Sequence, residues 1–288
     1  PTHFMLTKWL PRSLGALKAF EKLPAIRDTM WFGWFSIVGA FGDPEVRQAF
    51  ITLMDAAEDL AEYNQACGDN VAKMTTMGFR SSYGGFSWAP FDLVGDTLRG
   101  THGVLTDIFR RPEELKRAVE KMIPISVEMG VGPALASGIP LVWIWLHKGC
   151  DGFMSDEQFA EFYWPSLKAQ MEGIIDGGAT PVLYCEGDYT PRLKYLAEMP
   201  PGKCVYHFET IDMVKAKEAL DGIACLMGGI PNSLLVGGSP EEVREYCQKT
   251  IEVAGRDGGY VIASGALIDE AKPENLKMMF DVAHDYVY

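Results

Sequence analysis

The sequence lacks the patterns that mark several common functional classes. It has no CxxC pair, no cluster of lysine and arginine, and no run of 18 apolar residues. Nucleic-acid phosphates need clustered positive charge, and this chain has 26 basic against 39 acidic residues. A spanning helix needs about 20 apolar residues. We therefore expect neither a nucleic-acid partner nor a membrane partner.

Motifs for nucleotide phosphates and for serine hydrolysis are also missing. The patterns GxGxxG, GxxxxGK[ST] and GxSxG do not occur. The six cysteines are scattered, and several lie in apolar runs, where cysteine behaves as a small hydrophobic residue. This usage favours a reducing compartment, and it predicts a cytoplasmic protein. The oligomeric state cannot be read from the sequence.

Strand-like and helical segments alternate in the second part of the chain, residues 131–288. Apolar strand-like runs begin near residues 139, 181, 203, 223 and 259. Ser155 and Ser239 are typical N-caps for two of the intervening helices. Such alternation predicts a parallel sheet that is covered by helices.

Residues 1–130 are predicted to be mostly helical. Helices are expected from Pro44 to about Cys67 and from Pro112 to Met129, and the glycine- and aromatic-rich segment 79–93 is expected to be a long loop. The chain length and the 48% hydrophobic content allow one large core. We therefore predict a single domain over residues 1–288.

Acidic residues and a histidine follow two of the predicted strands. Tyr184-Cys185-Glu186-Gly187-Asp188 ends one strand, and His207 lies in the next, in Cys204–Glu209. Side chains alternate along a strand, so Tyr184 shares a face with Glu186 and His207 shares one with Glu209. Carboxylate and imidazole groups at adjacent strand ends can bind one divalent ion. A hydrogen-bonded polar cluster and a metal-free acid–base site are the alternatives.

A tryptophan-rich strand ends in another histidine. Trp143, Trp145 and His147 fall on one strand face, which suits a flat aromatic ligand with one polar group. The alternative is packing of the tryptophans against helices. The segment Gly228–Asn232 could cradle an anion, but a tight strand-to-helix turn is the preferred interpretation.

Several segments together resemble the uroporphyrinogen decarboxylase-like superfamily. They are Ala89-Pro90-Phe91-Asp92, Leu98-Arg99-Gly100, His147-Lys148-Gly149, Asp151-Gly152-Phe153-Met154, Glu186-Gly187-Asp188, Gly228–Pro231, Gly258-Gly259 and Pro273-Glu274-Asn275. The resemblance implies a TIM (β/α)8 barrel whose site lies at the C-terminal rim of the strands. The family's first barrel strands are not evident here. We therefore expect a barrel that lacks, or does not show, its N-terminal strands, in the C-terminal two-thirds of a longer protein.

The resemblance implies one of two chemistries. One is metal-free decarboxylation of a tetrapyrrole-like acid, which uses N-terminal arginine and aspartate motifs that are not visible here. The other is zinc-dependent methyl transfer involving a corrinoid. Thiol-using members hold zinc on a His-x-Cys pair and a later cysteine, where this chain has Tyr184, Glu186 and Ala266. A thiol substrate is therefore not expected.

A closer resemblance is to the O-demethylase methyltransferases. Their zinc motif pairs a glutamate with a histidine after twenty intervening residues, as in Glu186 and His207. A further glutamate is expected where this chain has Met171, next to Glu172. The resemblance thus implies zinc on Glu186 and His207, a corrinoid carried by a partner protein, and a small methoxylated substrate. A non-catalytic corrinoid-binding barrel is a third alternative.

The remaining site residues are assigned roles in this hypothesis. Proton transfer or ligand orientation is expected from Asp188, His147 or Glu209. The ring of an aromatic substrate is expected to lie against Tyr184, Trp143 and Trp145.

Overall fold

The computed structural model describes residues 9–23, 38–79 and 81–287, and the chain divides into two compact units, residues 1–81 and 82–288. The first unit contains α1 (Leu10–Leu17), a 3-10 turn (Lys18–Lys22) and α2 (Pro44–Thr76). The Asp43 carboxylate accepts hydrogen bonds from the first backbone N–H groups of α2, and Pro44 occupies its first position. Helix α2 extends nine residues past its predicted end at Cys67. The prediction of one domain stays a prediction.

The second unit is built on a six-stranded parallel sheet in which the strand order follows the chain order. Its strands are β1 (Gly85–Trp88), β2 (Leu141–Leu146), β3 (Thr180–Asp188), β4 (Cys204–Thr210), β5 (Ala224–Ile230) and β6 (Tyr260–Ser264). The five predicted strands are confirmed, and the architecture is that of a partial TIM barrel. The predicted fold class is therefore confirmed.

Helices connect successive strands, and a final helix follows β6. They are α3 (Pro90–Leu93), α4 (Thr101–Arg110), α5 (Pro112–Ala136), α6 (Asp156–Gln158), α7 (Trp164–Asp176), α8 (Leu193–Leu196), α9 (Met213–Leu220), α10 (Asn232–Gly237), α11 (Pro240–Ala254) and α12 (Pro273–Asp285). A wide π-type turn, Val94–Leu98, continues α3, a second one, Phe159–Tyr163, joins α6 to α7, and a 3-10 turn, Thr190–Arg192, precedes α8. Both predicted serine caps form capping boxes, Ser155 with Gln158 and Ser239 with Glu242. No helix in the described ranges is long and apolar enough to cross a membrane.

The prediction of a long loop over residues 79–93 is wrong, because this segment contains β1 and α3. Glycine usually signals a turn, but Gly85 serves close packing instead. A Cβ atom on Gly85 would collide with the backbone oxygen of Gly130 in α5. The strand can approach the helix only without a side chain at this position.

The two faces of the sheet have different neighbours. Ile144 and Leu183 belong to the large core between the sheet and the helices, together with Met171 of α7. Trp143 and Tyr184 alternate with these residues and form a separate cluster with Val182 on the other face. Trp143 and Trp145 of β2 therefore do not pack in the helix–sheet core. We call their side of the sheet the open face.

Candidate active site

The side chains of the open face form successive layers toward the carboxyl ends of the strands. The register places Trp145 beside Tyr184, and Tyr184 beside His207. Because side chains alternate, the next layer on each strand holds His147, Glu186 and Glu209. An aromatic layer therefore lies below a titratable rim.

The aromatic layer presents ring faces and ring edges within contact distance. Trp143 stacks on Tyr184 with ring centroids 5.3 Å apart, and Trp145 meets Tyr184 edge to face at 5.2 Å. These are the offset and T-shaped arrangements that aromatic rings prefer. Trp145 is only partly buried, so the upper part of this layer is accessible. We call Trp143, Trp145 and Tyr184 the aromatic wall.

His207 is a buried histidine, and one of its ring nitrogens is hydrogen-bonded to the backbone. It is 6% exposed, and burial lowers its pKa, although the bond to Ser264 opposes this shift. Its Nε2 donates to the Ser264 carbonyl oxygen at 2.7 Å, so Nδ1 carries a lone pair. That Nδ1 atom is buried and has no hydrogen-bond partner among the described residues. Gly228 makes room for the ring, since a Cβ there would lie 2.8 Å from it.

Glu186 is a half-buried carboxyl group at the rim. Burial raises its pKa, and the nearby negative charges of Glu209 and Asp96 act in the same direction, while His147 opposes them. Glu209 is held by the backbone, because its Oε2 accepts the Gly187 N–H at 2.6 Å. The rim therefore carries two carboxyl groups that influence each other.

Asp188 lies apart from this rim. It is exposed, and its Oδ1 accepts hydrogen bonds from the backbone N–H of Thr190 at 2.8 Å and from the Thr190 hydroxyl at 2.6 Å. These bonds stabilise the turn after β3. The catalytic role assigned to Asp188 stays a prediction.

His147 lies between two carboxyl groups. Its Nδ1 is 2.6 Å from Asp96 Oδ2, and its Nε2 is 4.0 Å from Glu186 Oε2. The neighbouring Lys148 is buried, and its ammonium group bonds the other oxygen of Asp96. Asp96 was not among the site residues predicted from the sequence, although it lies four residues after Asp92, a spacing that places both on one side of a helix.

The open face offers only part of a ligand set for zinc among the described residues. The unpartnered Nδ1 of His207, with Nε2 fixed by a backbone carbonyl, fits the usual arrangement of a metal-binding histidine. However, no group of three or more His, Cys, Asp or Glu residues in the described ranges could hold a metal ion. Met171 is fully buried in the helix–sheet core and Glu172 is exposed on α7, so neither completes the set on the open face.

The segment Gly228–Asn232 forms the short connection between β5 and α10. Strand β5 continues to Ile230, and α10 begins at Asn232 after a single proline. This agrees with the preferred interpretation of a tight strand-to-helix turn.

The titratable rim lies at the carboxyl ends of the parallel strands, which is where TIM-barrel enzymes carry their active sites. Residues 44–286 match the family described as Uroporphyrinogen decarboxylase (URO-D). The match covers most of the chain, so this protein belongs to the URO-D family.

Among solved structures, the chain is similar to a methyltransferase from Methanosarcina mazei, with 16% sequence identity and a TM-score of 0.59. The similarity covers 69% of this chain and 57% of the methyltransferase, so the chain spans little more than half of that protein. At this identity the likeness shows the fold. No curated protein matches the sequence significantly.

Proposed function

We propose that this protein transfers a methyl group from a methoxylated aromatic compound to the cobalt of a corrinoid. The observation that carries the proposal is the aromatic wall, which leads directly to the rim of His147, Glu186 and Glu209. In this proposal a flat ring lies against Trp145, the partly buried member of the wall, and its polar substituent meets the rim. The fold shared with a methyltransferase supports this class of reaction.

The residues of the chain have separate tasks in this proposal. Trp145 and Tyr184 bind and orient the ring, and orientation alone lowers the barrier of a transfer reaction. A phenolate is a poor leaving group, so a proton at the departing oxygen assists the bond cleavage. His147 lies at the rim where this oxygen would be, and Glu186 faces the same space.

Two further components belong to the proposal. Zinc, held by Glu186 and His207, would supply Lewis acidity at the ether oxygen. The corrinoid would supply a Co(I) nucleophile and would be carried by a partner protein. The neutral, unpartnered Nδ1 of His207 supports the zinc assignment, whereas the missing third protein ligand among the described residues weighs against it.

The direct test is methyl transfer by the full chain. Methoxybenzoates are incubated with the protein and Co(I) cobalamin, and the loss of Co(I) absorbance and the phenolic product are followed together. Equal amounts of phenol formed and Co(I) consumed would support the proposal. Neither change, with a folded protein and with zinc supplied, would refute it.

Zinc binding is tested separately by elemental analysis. Glu186→Ala and His207→Ala are each expected to lose the metal. His284→Gln is the matched control, because His284 is exposed on α12 and contacts its neighbour Asp285. If wild-type protein contains zinc and both site variants retain it, the assignment of these two ligands is wrong.

A tetrapyrrole-like acid fits the rim less well. Such a substrate carries several carboxylates, which Asp96, Glu186 and Glu209 would repel. Lys148 offsets only part of this repulsion, because it carries one charge and is already bonded to Asp96. A non-catalytic corrinoid-binding barrel would be excluded by turnover in the assay above.

A further inference from the structure

The open face continues onto β1, where the sequence predicted only a loop. Ser87 faces the helices, because its hydroxyl donates to the Ser126 carbonyl oxygen of α5 at 2.7 Å. Side chains alternate along a strand, so Phe86 and Trp88 lie on the opposite side, the open face. Their rings meet edge to face at 5.2 Å, and Phe86 is 46% exposed. Two aromatic side chains therefore extend the surface of the aromatic wall.

The register of β1 on β2 makes this surface continuous. Phe86 lies beside Trp143, and Trp88 lies beside Trp145. Trp88 and Trp145 are both partly buried, and the β1 neighbour of Trp143 is the exposed Phe86. The side of Trp143 that faces β1 is therefore the side that a ligand can approach.

Trp143 carries a buried hydrogen-bond donor that has no partner among the described residues. The side chain is 6% exposed, and its indole Nε1 is unpartnered. The ring of His207 lies edge-on at 5.4 Å, but its Nδ1 lacks a partner as well, so the two groups do not bond each other. An indole N–H only donates, and a buried donor that stays unpaired costs stability. The missing partner is therefore an acceptor, which a bound ligand can supply.

The position of this donor sets the length of the ligand. Trp143 lies four residues before His147, so the donor and the rim are about 13 Å apart along the strand direction. A hydrogen bond takes up about 2.9 Å at each end of a ligand. A benzene ring with oxygen groups at opposite (para) corners fills the remaining distance. Oxygen groups on neighbouring (ortho) corners leave one end unpaired.

We propose that the Trp143 N–H binds an oxygen acceptor at the end of the substrate ring opposite the methoxyl group. The preferred substrates are then para-methoxyarenes that carry a carboxylate or a carbonyl group. The inference rests on the proposed methyl transfer, which places the ether oxygen at the rim. Trp143 acts on the affinity for the substrate and on the placement of its ether oxygen, so it is a specificity-determining residue.

Trp143→Phe tests the inference by calorimetry on the full chain, because it removes the N–H and keeps an aromatic ring. The probes are 4-methoxybenzoate, 4-methoxyacetophenone and 4-methoxytoluene, of which the last has no acceptor. The loss of ring area affects all three probes alike, so the difference between them reports the hydrogen bond. The variant is expected to lose about tenfold more affinity for an acceptor probe than for 4-methoxytoluene. A loss confined to the benzoate assigns a carboxylate, and one confined to the acetophenone assigns a carbonyl group.

Trp164→Phe is the matched control. Trp164 is also buried, but it lies in the helix–sheet core, and its Nε1 already donates to Glu198 at 3.2 Å. This variant should bind all three probes as the wild type does. An equal change for all three probes in Trp143→Phe overturns the proposal.

The wild-type protein gives a second measurement that needs no variant. It should bind 4-methoxybenzoate or 4-methoxyacetophenone about tenfold more tightly than the corresponding 2-methoxy isomer, whose two oxygen groups are adjacent. Equal affinities within both pairs of isomers would overturn the proposal. The binding measurements need no corrinoid. Selective binding without methyl transfer would therefore refute the proposed function and leave the acceptor site standing.

Discussion

Asp92→Asn should remove a pH dependence from the stability of the protein. Asp92 is fully buried, and its Oδ2 accepts bonds from the Tyr163 hydroxyl at 2.6 Å and from the His147 N–H at 2.9 Å. Its other oxygen has no hydrogen-bond partner in the described part of the chain. Burial raises the pKa of Asp92 from 3.8 to about 6, although Tyr163, His147 and the charge of Lys148 oppose the shift.

The direction in which the free energy of unfolding changes with pH follows from proton binding at Asp92. Between pH 4 and 6, the folded state holds a proton at Asp92 that the unfolded state has lost, so the free energy of unfolding falls as the pH rises. Each pKa unit corresponds to about 1.4 kcal/mol, which gives a loss of about 3 kcal/mol by neutral pH. Asparagine cannot ionise, and its carbonyl oxygen can still accept both bonds.

The assay is urea unfolding of wild type and Asp92→Asn from pH 4.5 to 7.5. The stability of the variant relative to the wild type should rise through this range and level off near neutral pH. Asp107→Asn should instead differ from wild type by a nearly constant amount over this range, because the hydrogen bond from Arg99 lowers the pKa of Asp107 from 3.8 and places its titration below the range of the assay. Its stabilising contribution is present above its unfolded-state pKa and is lost as the pH falls. A stability difference between Asp92→Asn and wild type that is constant with pH would contradict the reasoning.

Three further predictions concern packing and ligand binding. Gly228→Ala should lower the free energy of unfolding in urea by roughly 3 kcal/mol, because φ at this position is +97° and a Cβ would lie 2.6 Å from a backbone oxygen of β4. Gly222→Ala, at φ +70° in open space, should cost only about 1 kcal/mol. Met171→Glu should bind no additional metal by elemental analysis. Its free energy of unfolding should fall by about 4 kcal/mol or more, since the position is fully buried in the helix–sheet core. Trp145→Ala should weaken binding of a methoxybenzoate at least about tenfold in calorimetry, because it removes part of the aromatic wall; unchanged affinity would place the ring elsewhere.

Local patterns were sufficient for much of the sheet. The apolar runs of β2 to β6 stand between clear helix starts, and Ser155 and Ser239 cap helices as expected. These features depend on residues close in sequence, so they can be read without knowing the fold. Strand β1 was missed because its glycine serves contact with Gly130, a residue more than forty positions away.

In the candidate site, too, the local features were predictable from the sequence and the contacts between distant segments were not. Alternation along β2 and β3 correctly predicted that Trp143, Trp145 and His147 share one face, and that Tyr184 shares a face with Glu186. It did not predict the neighbours across the sheet. The register places His207 beside Tyr184, in the layer below the rim. The spacing along the chain suggested Glu186 and His207 as a ligand pair, but it could not show in which layer each of them lies.

The sequence by itself determined the alternating strands and helices, the faces on which the side chains lie, and membership of the URO-D family. The tertiary structure decided that the open face, and not the helix-covered face, holds Trp143 and Trp145. It also joined Asp96 to His147 and Lys148 across 51 and 52 positions. The physical reason is that periodicity reports how a segment faces its surroundings, whereas hydrogen bonds between distant segments depend on strand register and helix packing.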